Sequence, residues 1–431
     1  MKKITRRAFT VLLLALLIVA GLAGYVLRYS EHGRDWALSF SRANSGSTGA
    51  ILDRNGLVLA SFTPTRNGFA DDARIRIANY HVTGDFWDRT GTGLLTSYWK
   101  DLQGFSPITG TTVAANTTLQ LNVDAELDAR AFAALDGQKG AVLMCNYRTG
   151  ELLILVSSPA VDPADPNAVP EDGAYVNRAL SAAFVPGSVF KLVTAAAAIE
   201  NIPDIEDRSF YCEGAITIAG VDIICSDCHY TQTFEQALSN SCNVAFAKIA
   251  IMLGQDTLAR YVRQFGFLDR QELDGIPTAA GNFPLEFVGD PELGWAGIGQ
   301  STDLVCPYAL LRFVSAVAND GILCEPKLID DGEETVLSRY MSAETAAQLQ
   351  QMMRYNVVHH YEGDVNFPGL PLCAKTGTAE LGDGTSHAWF TGFLLDDEHP
   401  YAFVVFVEQG GGGLTVAGAA ANKILQFAIH W

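Results

Sequence analysis

Val185-Pro186-Gly187-Ser188-Val189-Phe190-Lys191-Leu192-Val193-Thr194-Ala195-Ala196-Ala197-Ala198-Ile199-Glu200 is the stretch on which the reading of this chain turns. Pro-Gly breaks regular structure, and the run of good helix formers behind it predicts a helix beginning at or beside Ser188. Ser188 and Lys191 are three apart, so they share a helical face and can touch. Ser188 also falls where free backbone N–H groups and the positive helix end favour developing negative charge. A serine hydroxyl is a poor nucleophile without a base. The helix is apolar apart from this pair and its far end, which points to burial. Burial disfavours an ammonium and lowers a lysine pKa, so Lys191 can take the serine proton.

The pair alone carries little, because a chain of 431 residues holds one or two Ser-x-x-Lys pairs by chance. Ser97-Tyr98-Trp99-Lys100 fits the same pattern without a Pro-Gly helix start, and we read it as structural. Two further motifs raise Ser188 above it. Ser241-Cys242-Asn243 places a hydroxyl and an amide two apart on a loop between helices. Ser241 can relay a proton to a leaving amine, and Asn243 can hydrogen-bond substrate or Lys191. Read alone, this triplet is a helix cap. Lys375-Thr376-Gly377-Thr378 lies on a strand-like run. A strand edge beside a cleft can pair with an extended peptide. Gly377 lets the backbone approach substrate, Lys375 with Thr376 and Thr378 suits a carboxylate, and a backbone N–H here can join that of Ser188 in an oxyanion hole.

Around these motifs the chain reads as α+β. Leu121–Asp124 leads into a helical stretch over Ala125–Leu135. Gly140–Asn146 and Glu151–Ser157 are apolar β-type runs joined at Arg148-Thr149-Gly150. A helix-rich middle spans about 177–355, strands follow at Leu372–Thr378, His387–Leu394 and Tyr401–Glu408, and a helix closes over Ala419–Ile429. An antiparallel sheet drawn from both ends of a domain, with helices inserted, is the expected arrangement. Upstream, Gly49–Ala60 reads as a hairpin around Asn55-Gly56, and about 61–118 as a small, irregular, non-catalytic region. The expected division is 1–30 tail and anchor, 31–118 tether and small region, and 119–431 catalytic domain.

Ala8–Leu27 is uncharged over 20 residues, enough as a helix to cross roughly 30 Å of hydrocarbon. Lys2, Lys3, Arg6 and Arg7 precede it, so the N-terminus is expected inside the cell and the body outside the cytoplasmic membrane. A cleaved signal, with Gly21-Leu22-Ala23 as a weak site, is the rival; the length favours an anchor. Residues from Arg28 to about Thr48 read as a polar tether. The net charge of −19 argues against nucleic acid as a partner.

The motif order, Ser188/Lys191, then Ser241/Asn243, then Lys375–Thr378, resembles that of penicillin-binding proteins. Asp53-Arg54-Asn55-Gly56 with Leu59-Ala60, Thr149-Gly150-Glu151, Ser157-Ser158-Pro159, Asp162-Pro163, Gly297-Ile298-Gly299-Gln300, Pro307, Ala318-Asn319-Asp320-Gly321 and His387-Ala388-Trp389-Phe390 extend the likeness to the class B, monofunctional members. The resemblance implies a penicillin-binding/β-lactamase-like transpeptidase domain behind one transmembrane helix. It implies a D,D-transpeptidase that attacks D-Ala-D-Ala of peptidoglycan stem peptides through Ser188 and releases D-alanine, with β-lactams as covalent inhibitors and no cofactor. No glycosyltransferase module is expected before residue 119, so a membrane-embedded glycosyltransferase is an implied partner. Three departures stand out: a short N-terminal region, Val189 where the family often has Thr, and Cys242, a variable position to which we assign no role.

A hydrolase on the same scaffold, either D,D-carboxypeptidase or β-lactamase, is the second reading, and a non-catalytic β-lactam sensor the third. Cys212, Cys225, Cys228 and His229 have a spacing that permits zinc. Resembling proteins often carry a cysteine pair in this loop, so a loop disulfide such as Cys212–Cys225, or free thiols, is expected ahead of a metal. His359-His360 reads as a surface pair, His387 as structural, and Gly410–Gly413 as a flexible turn without a phosphate cradle's Lys-Ser/Thr.

Overall fold

The computed structural model describes residues 2–44, 49–62, 67–103, 105–106, 111–112, 117–283, 289–300, 302–333 and 335–431. These form two compact units. One comprises 1–50, 61–68 and 99–118, and the other 51–60, 69–98 and 119–431. The second therefore takes in two segments that the sequence division left with the tether and the small region.

In the first unit a single helix runs from Lys2 to Asn44. Its Ile4–Ser30 portion is long and apolar enough to cross a membrane. The expected tether is thus helical through Asn44, and residues 45–48 lie outside the described ones. The segment has no proline, and a nucleated helix propagates through polar residues at little cost.

The centre of the second unit is a five-stranded antiparallel sheet in the order Leu372–Glu380, Ser386–Leu394, Tyr401–Val407, Gly140–Asn146, Leu152–Ser158. Strands from the end of the chain pair directly with strands from its middle: Val405 lies opposite Val142 and Phe403 opposite Met144. Alternation decides which residues face which layer. Val142, Met144 and Ile154 pack with Leu127 and Ala131 of the Ala125–Ala134 helix and Ile424 and Leu425 of the Ala419–Ala428 helix. Cys145, on the opposite face, sits with its Sγ 3.1 Å from Ser315 Oγ of the Pro307–Ala318 helix. That helix is buried along its whole length, as suits one sandwiched between a sheet and further helices. Each fully buried aliphatic side chain contributes roughly 1.5–3 kcal/mol. The α+β reading holds, and the helices between the two halves of the sheet carry the first two motifs.

Asp124 caps the Ala125–Ala134 helix by accepting from Glu126 and Leu127 N–H groups. The Asn55-Gly56 hairpin is formed: Gly56 takes φ 82°, and the Asp53 side chain accepts from the Asn55 and Leu57 amides.

Candidate active site

Ser188 lies in a 3₁₀ turn, Gly187–Phe190, that continues into the Lys191–Asn201 helix. The turn is fixed from three directions. Gly187 N–H donates to Gly299 O at 2.8 Å. Trp389 Nε1 donates to Val185 O at 2.9 Å. A Cβ on Gly377 would stand 2.9 Å from Pro186 O and 3.0 Å from Val189 Cγ1, so the Leu372–Glu380 strand presses directly on the turn. Gly377 is therefore a packing requirement of the nucleophile turn. Gly299 is equally constrained. It takes φ 73°, and a Cβ there would fall 2.3 Å from Gly187 O. Thr194 ties the next helical turn to the same segment by donating to Gly297 O at 2.7 Å.

Lys191 is completely buried. Its Nζ lies 2.9 Å from Ser188 Oγ, 2.6 Å from Ser241 O, 2.7 Å from Asn243 Oδ1 and 3.2 Å from Ser241 Oγ. Burial lowers its pKa to about 8, against a smaller upward pull from Cys225 and Cys242. The two shortest contacts are to carbonyl oxygens, which accept and never donate. A neutral amine spends its two N–H bonds on Ser241 O and Asn243 Oδ1, and its lone pair is left facing the Ser188 hydroxyl. That is the geometry of a general base.

Ser241 makes this possible through its backbone. It has φ 52°, a left-handed conformation uncommon outside glycine, asparagine and aspartate, and its carbonyl is an acceptor for Lys191. Its hydroxyl accepts from Lys375 at 3.1 Å and lies 3.2 Å from Lys191, which donates to it once the amine has taken the serine proton. Both lone pairs are then occupied, and the hydroxyl proton is free to be donated. Lys375 is also fully buried, and its pKa is pushed well below the usual lysine value by burial and by the neighbouring Lys191 charge. Asn243 is oriented by its own amide, which donates to Ile224 O at 2.8 Å and leaves Oδ1 to Lys191.

The two threonines differ. Thr378 is exposed and accepts from Gly413 N–H, whereas Thr376 bonds through its hydroxyl and its N–H to Tyr361 Oη. The Gly410–Gly413 run is no loose turn: a Cβ on Gly413 would lie 2.5 Å from Gly377 O, so glycine lets this loop close against the strand.

Ser188, Lys191, Ser241, Asn243 and Lys375 are thus brought together. Ser97 is not among them: it ends the short Leu94–Ser97 helix, and its Oγ donates to Gly275 O. His387 is buried against Phe184 and Phe406 and accepts from Gln409 N–H, a structural role. His359 and His360 are exposed at a helix end. All eight cysteines are free thiols. Cys212, Cys225 and His229 converge with Cys242, while Cys228 is exposed. Cys242, to which the sequence analysis assigned no role because the position varies among resembling proteins, is the fourth member of this group.

A family model described as penicillin binding protein transpeptidase domain matches residues 140–426. The chain belongs to the penicillin-binding protein transpeptidase family. It is 29% identical over 338 residues to stage V sporulation protein D of Bacillus subtilis, covering 73% of this chain and 52% of that protein. It is 30% identical over 325 residues to peptidoglycan D,D-transpeptidase PbpA of Mycobacterium tuberculosis, covering 65% of this chain and 64% of the relative. The chain thus spans between about half and two thirds of the length of these relatives. Penicillin-binding protein A of M. tuberculosis, solved as a penicillin G acyl-enzyme complex, superposes with a TM-score of 0.76 at 25% identity, over 89% of this chain and 99% of that one. The class B penicillin-binding fold expected from the motifs is the fold observed, and the three motifs lie within the matched region.

Proposed function

We propose that this chain is a serine D,D-transpeptidase that cross-links peptidoglycan stem peptides through an acyl-enzyme at Ser188. The observation that carries the reading is the placing of buried Lys191 Nζ 2.9 Å from Ser188 Oγ, with Ser241 and Asn243 beside it. Ser188 Oγ attacks the carbonyl of the D-Ala-D-Ala bond, and its proton passes to Lys191. The oxyanion is stabilised by backbone N–H groups of Ser188 and of the Lys375–Thr378 strand. As the C–N bond breaks, the departing D-alanine nitrogen takes a proton from the Ser241 hydroxyl, which Lys191 replenishes. An acceptor amine on a second stem then attacks the ester, loses its proton along the same route, and restores Ser188. Lys375 and exposed Thr378 suit the terminal carboxylate of the donor.

A β-lactam follows the first half of this path, but its leaving nitrogen stays attached and the ester persists. Similarity to a peptidoglycan D,D-transpeptidase and to a protein solved as a penicillin G acyl-enzyme supports this chemistry. The apolar helix supports a single-pass anchor with the N-terminus in the cytoplasm and the catalytic unit outside. There a membrane-embedded glycosyltransferase would supply the glycan strands to be cross-linked.

The test is to label membranes with a fluorescent penicillin, comparing wild type with Ser188→Ala. Labelling is expected to vanish in the variant, and persistent labelling would refute the assignment. Cross-linking of lipid-linked glycan strands then separates transfer from hydrolysis, and rapid turnover of bound penicillin would favour the hydrolase reading.

A further inference from the structure

The loop before the second motif brings four soft donors to one point. Cys212 ends the Ser209–Cys212 strand, Cys225 follows the Val221–Ile224 strand, His229 precedes the Tyr230–Thr233 strand, and Cys242 is the middle residue of Ser241–Asn243. Their three sulfurs and one ring nitrogen all lie within 4.8 Å of one another. Cys225 Sγ is 3.9 Å from Cys242 Sγ and 3.5 Å from His229 Nδ1. Tetrahedral zinc, with Zn–S about 2.3 Å and Zn–N about 2.0–2.1 Å, separates its ligand atoms by roughly 3.5–3.8 Å. The 3.5 and 3.9 Å spacings are close to such edges and the donor atoms are nowhere more than 4.8 Å apart, whereas a disulfide would need about 2.05 Å between sulfurs.

A second, independent observation concerns the surroundings of the sulfurs. Each accepts a backbone N–H: Cys212 from Gly214 at 3.4 Å, Cys225 from Asn243 at 3.3 Å, and Cys242 from Ala245 at 3.4 Å. Three converging N–H···S bonds suit sulfurs that carry negative charge, and partners of this kind orient metal ligands. The donor set selects the ion. Three sulfurs and an imidazole, with the three cysteines buried, suit zinc and repel calcium or magnesium, which demand oxygen.

We propose that Cys212, Cys225, His229 and Cys242 form a structural zinc site that holds the second motif in place. Four protein ligands close the tetrahedron and leave no position for substrate, so the ion is structural. Binding displaces the three thiol protons to solvent as three Zn–S bonds form. The ion ties the Cys212–His229 loop to Cys242, which sits between the residues supplying the two carbonyl acceptors of Lys191. The Cys225 sulfur also holds the Asn243 amide, and Ile224 O orients the Asn243 side chain. The cysteines are free rather than disulfide-bonded, as one of the two sequence expectations had it, and the proposal gives three of them a metal to hold.

The full chain, purified in detergent, is expected to carry about one zinc per molecule by elemental analysis. Cobalt exchanged into the site is expected to give sulfur-to-metal charge-transfer absorption. The double variant Cys225→Ser, His229→Ala should lose the metal, and Cys228→Ser, outside the cluster, should keep it. Far less than one zinc in wild type, full retention in the double variant, or a Cys212–Cys225 disulfide on mass mapping would overturn the site. Metal content is read without substrate, so its failure is distinguishable from failure of the proposed activity. Stripping the metal by chelation is expected to slow penicillin acylation about 10–100-fold, with recovery on zinc and none on magnesium. An unchanged rate in metal-free protein would overturn the positioning role.

Discussion

Lys191 is coordinated by the backbone of Ser241 as closely as by any side chain: Nζ lies 2.6 Å from that carbonyl oxygen. The second motif thus serves the base through a main-chain atom as well as through its hydroxyl and amide. A lone carbonyl cannot accept or release a proton, so the contact sets where the amine points and leaves proton transfer to Ser188 and Ser241.

Lys191→Met removes the base while Ser188 keeps its turn. Acylation by a fluorescent penicillin is expected to slow roughly 10²–10⁴-fold. A variant that labels at the wild-type rate would show that another group takes the serine proton.

The neutral amine of Lys191 is the active form, and its pKa is lowered to about 8 by burial. The acylation rate is expected to rise with pH through about 8 and level off above it. Stability follows the same sign. The unfolded chain keeps the ordinary value of 10.5, so between about 8 and 10.5 the unfolded state binds more protons than the folded one. Thermal stability should rise with pH across that window, and this contribution should be absent from Lys191→Met.

Gly299→Ala forces a positive φ on alanine and sets a Cβ 2.3 Å from Gly187 O. The nucleophile turn must move, and a displacement of about 1 Å at a reacting atom costs up to about 10²-fold in rate. Stopped-flow acylation, alongside circular dichroism to confirm folding, measures this.

Thr194→Val leaves the buried Gly297 carbonyl without its 2.7 Å donor. The expected loss is about 1–3 kcal/mol of stability, read from denaturant midpoints, with acylation of the folded fraction largely kept. A neutral midpoint would mean that Gly297 O finds another partner.

Much of this was legible in the sequence, because short apolar runs and a helix behind Pro-Gly are local signals. The five strands of the sheet coincide with the strand-like runs, which are buried almost continuously rather than on alternate residues, and order along the chain separated Ser188 from the Ser97 pair. What stayed hidden depended on contacts distant in sequence. Gly377 looked like an opening for substrate, and its packing against Pro186 appears only once strand and turn meet. Gly413 looked like slack because the partner that needs it to be glycine is 36 positions earlier in the chain. The grouping of Cys242 stayed hidden for a like reason: its companion Cys212 lies 30 residues away, on the far side of a hairpin.

The order of the sheet has a consequence for biosynthesis. Ser188 and Lys191 are synthesised long before Lys375, and the strand that closes over them arrives with Tyr401–Val407, which must insert beside Gly140–Asn146. Such sequence-distant pairing is slow to form. A nascent chain therefore exposes its nucleophile without a finished cleft, and cannot begin acyl transfer until nearly the last strand has been delivered.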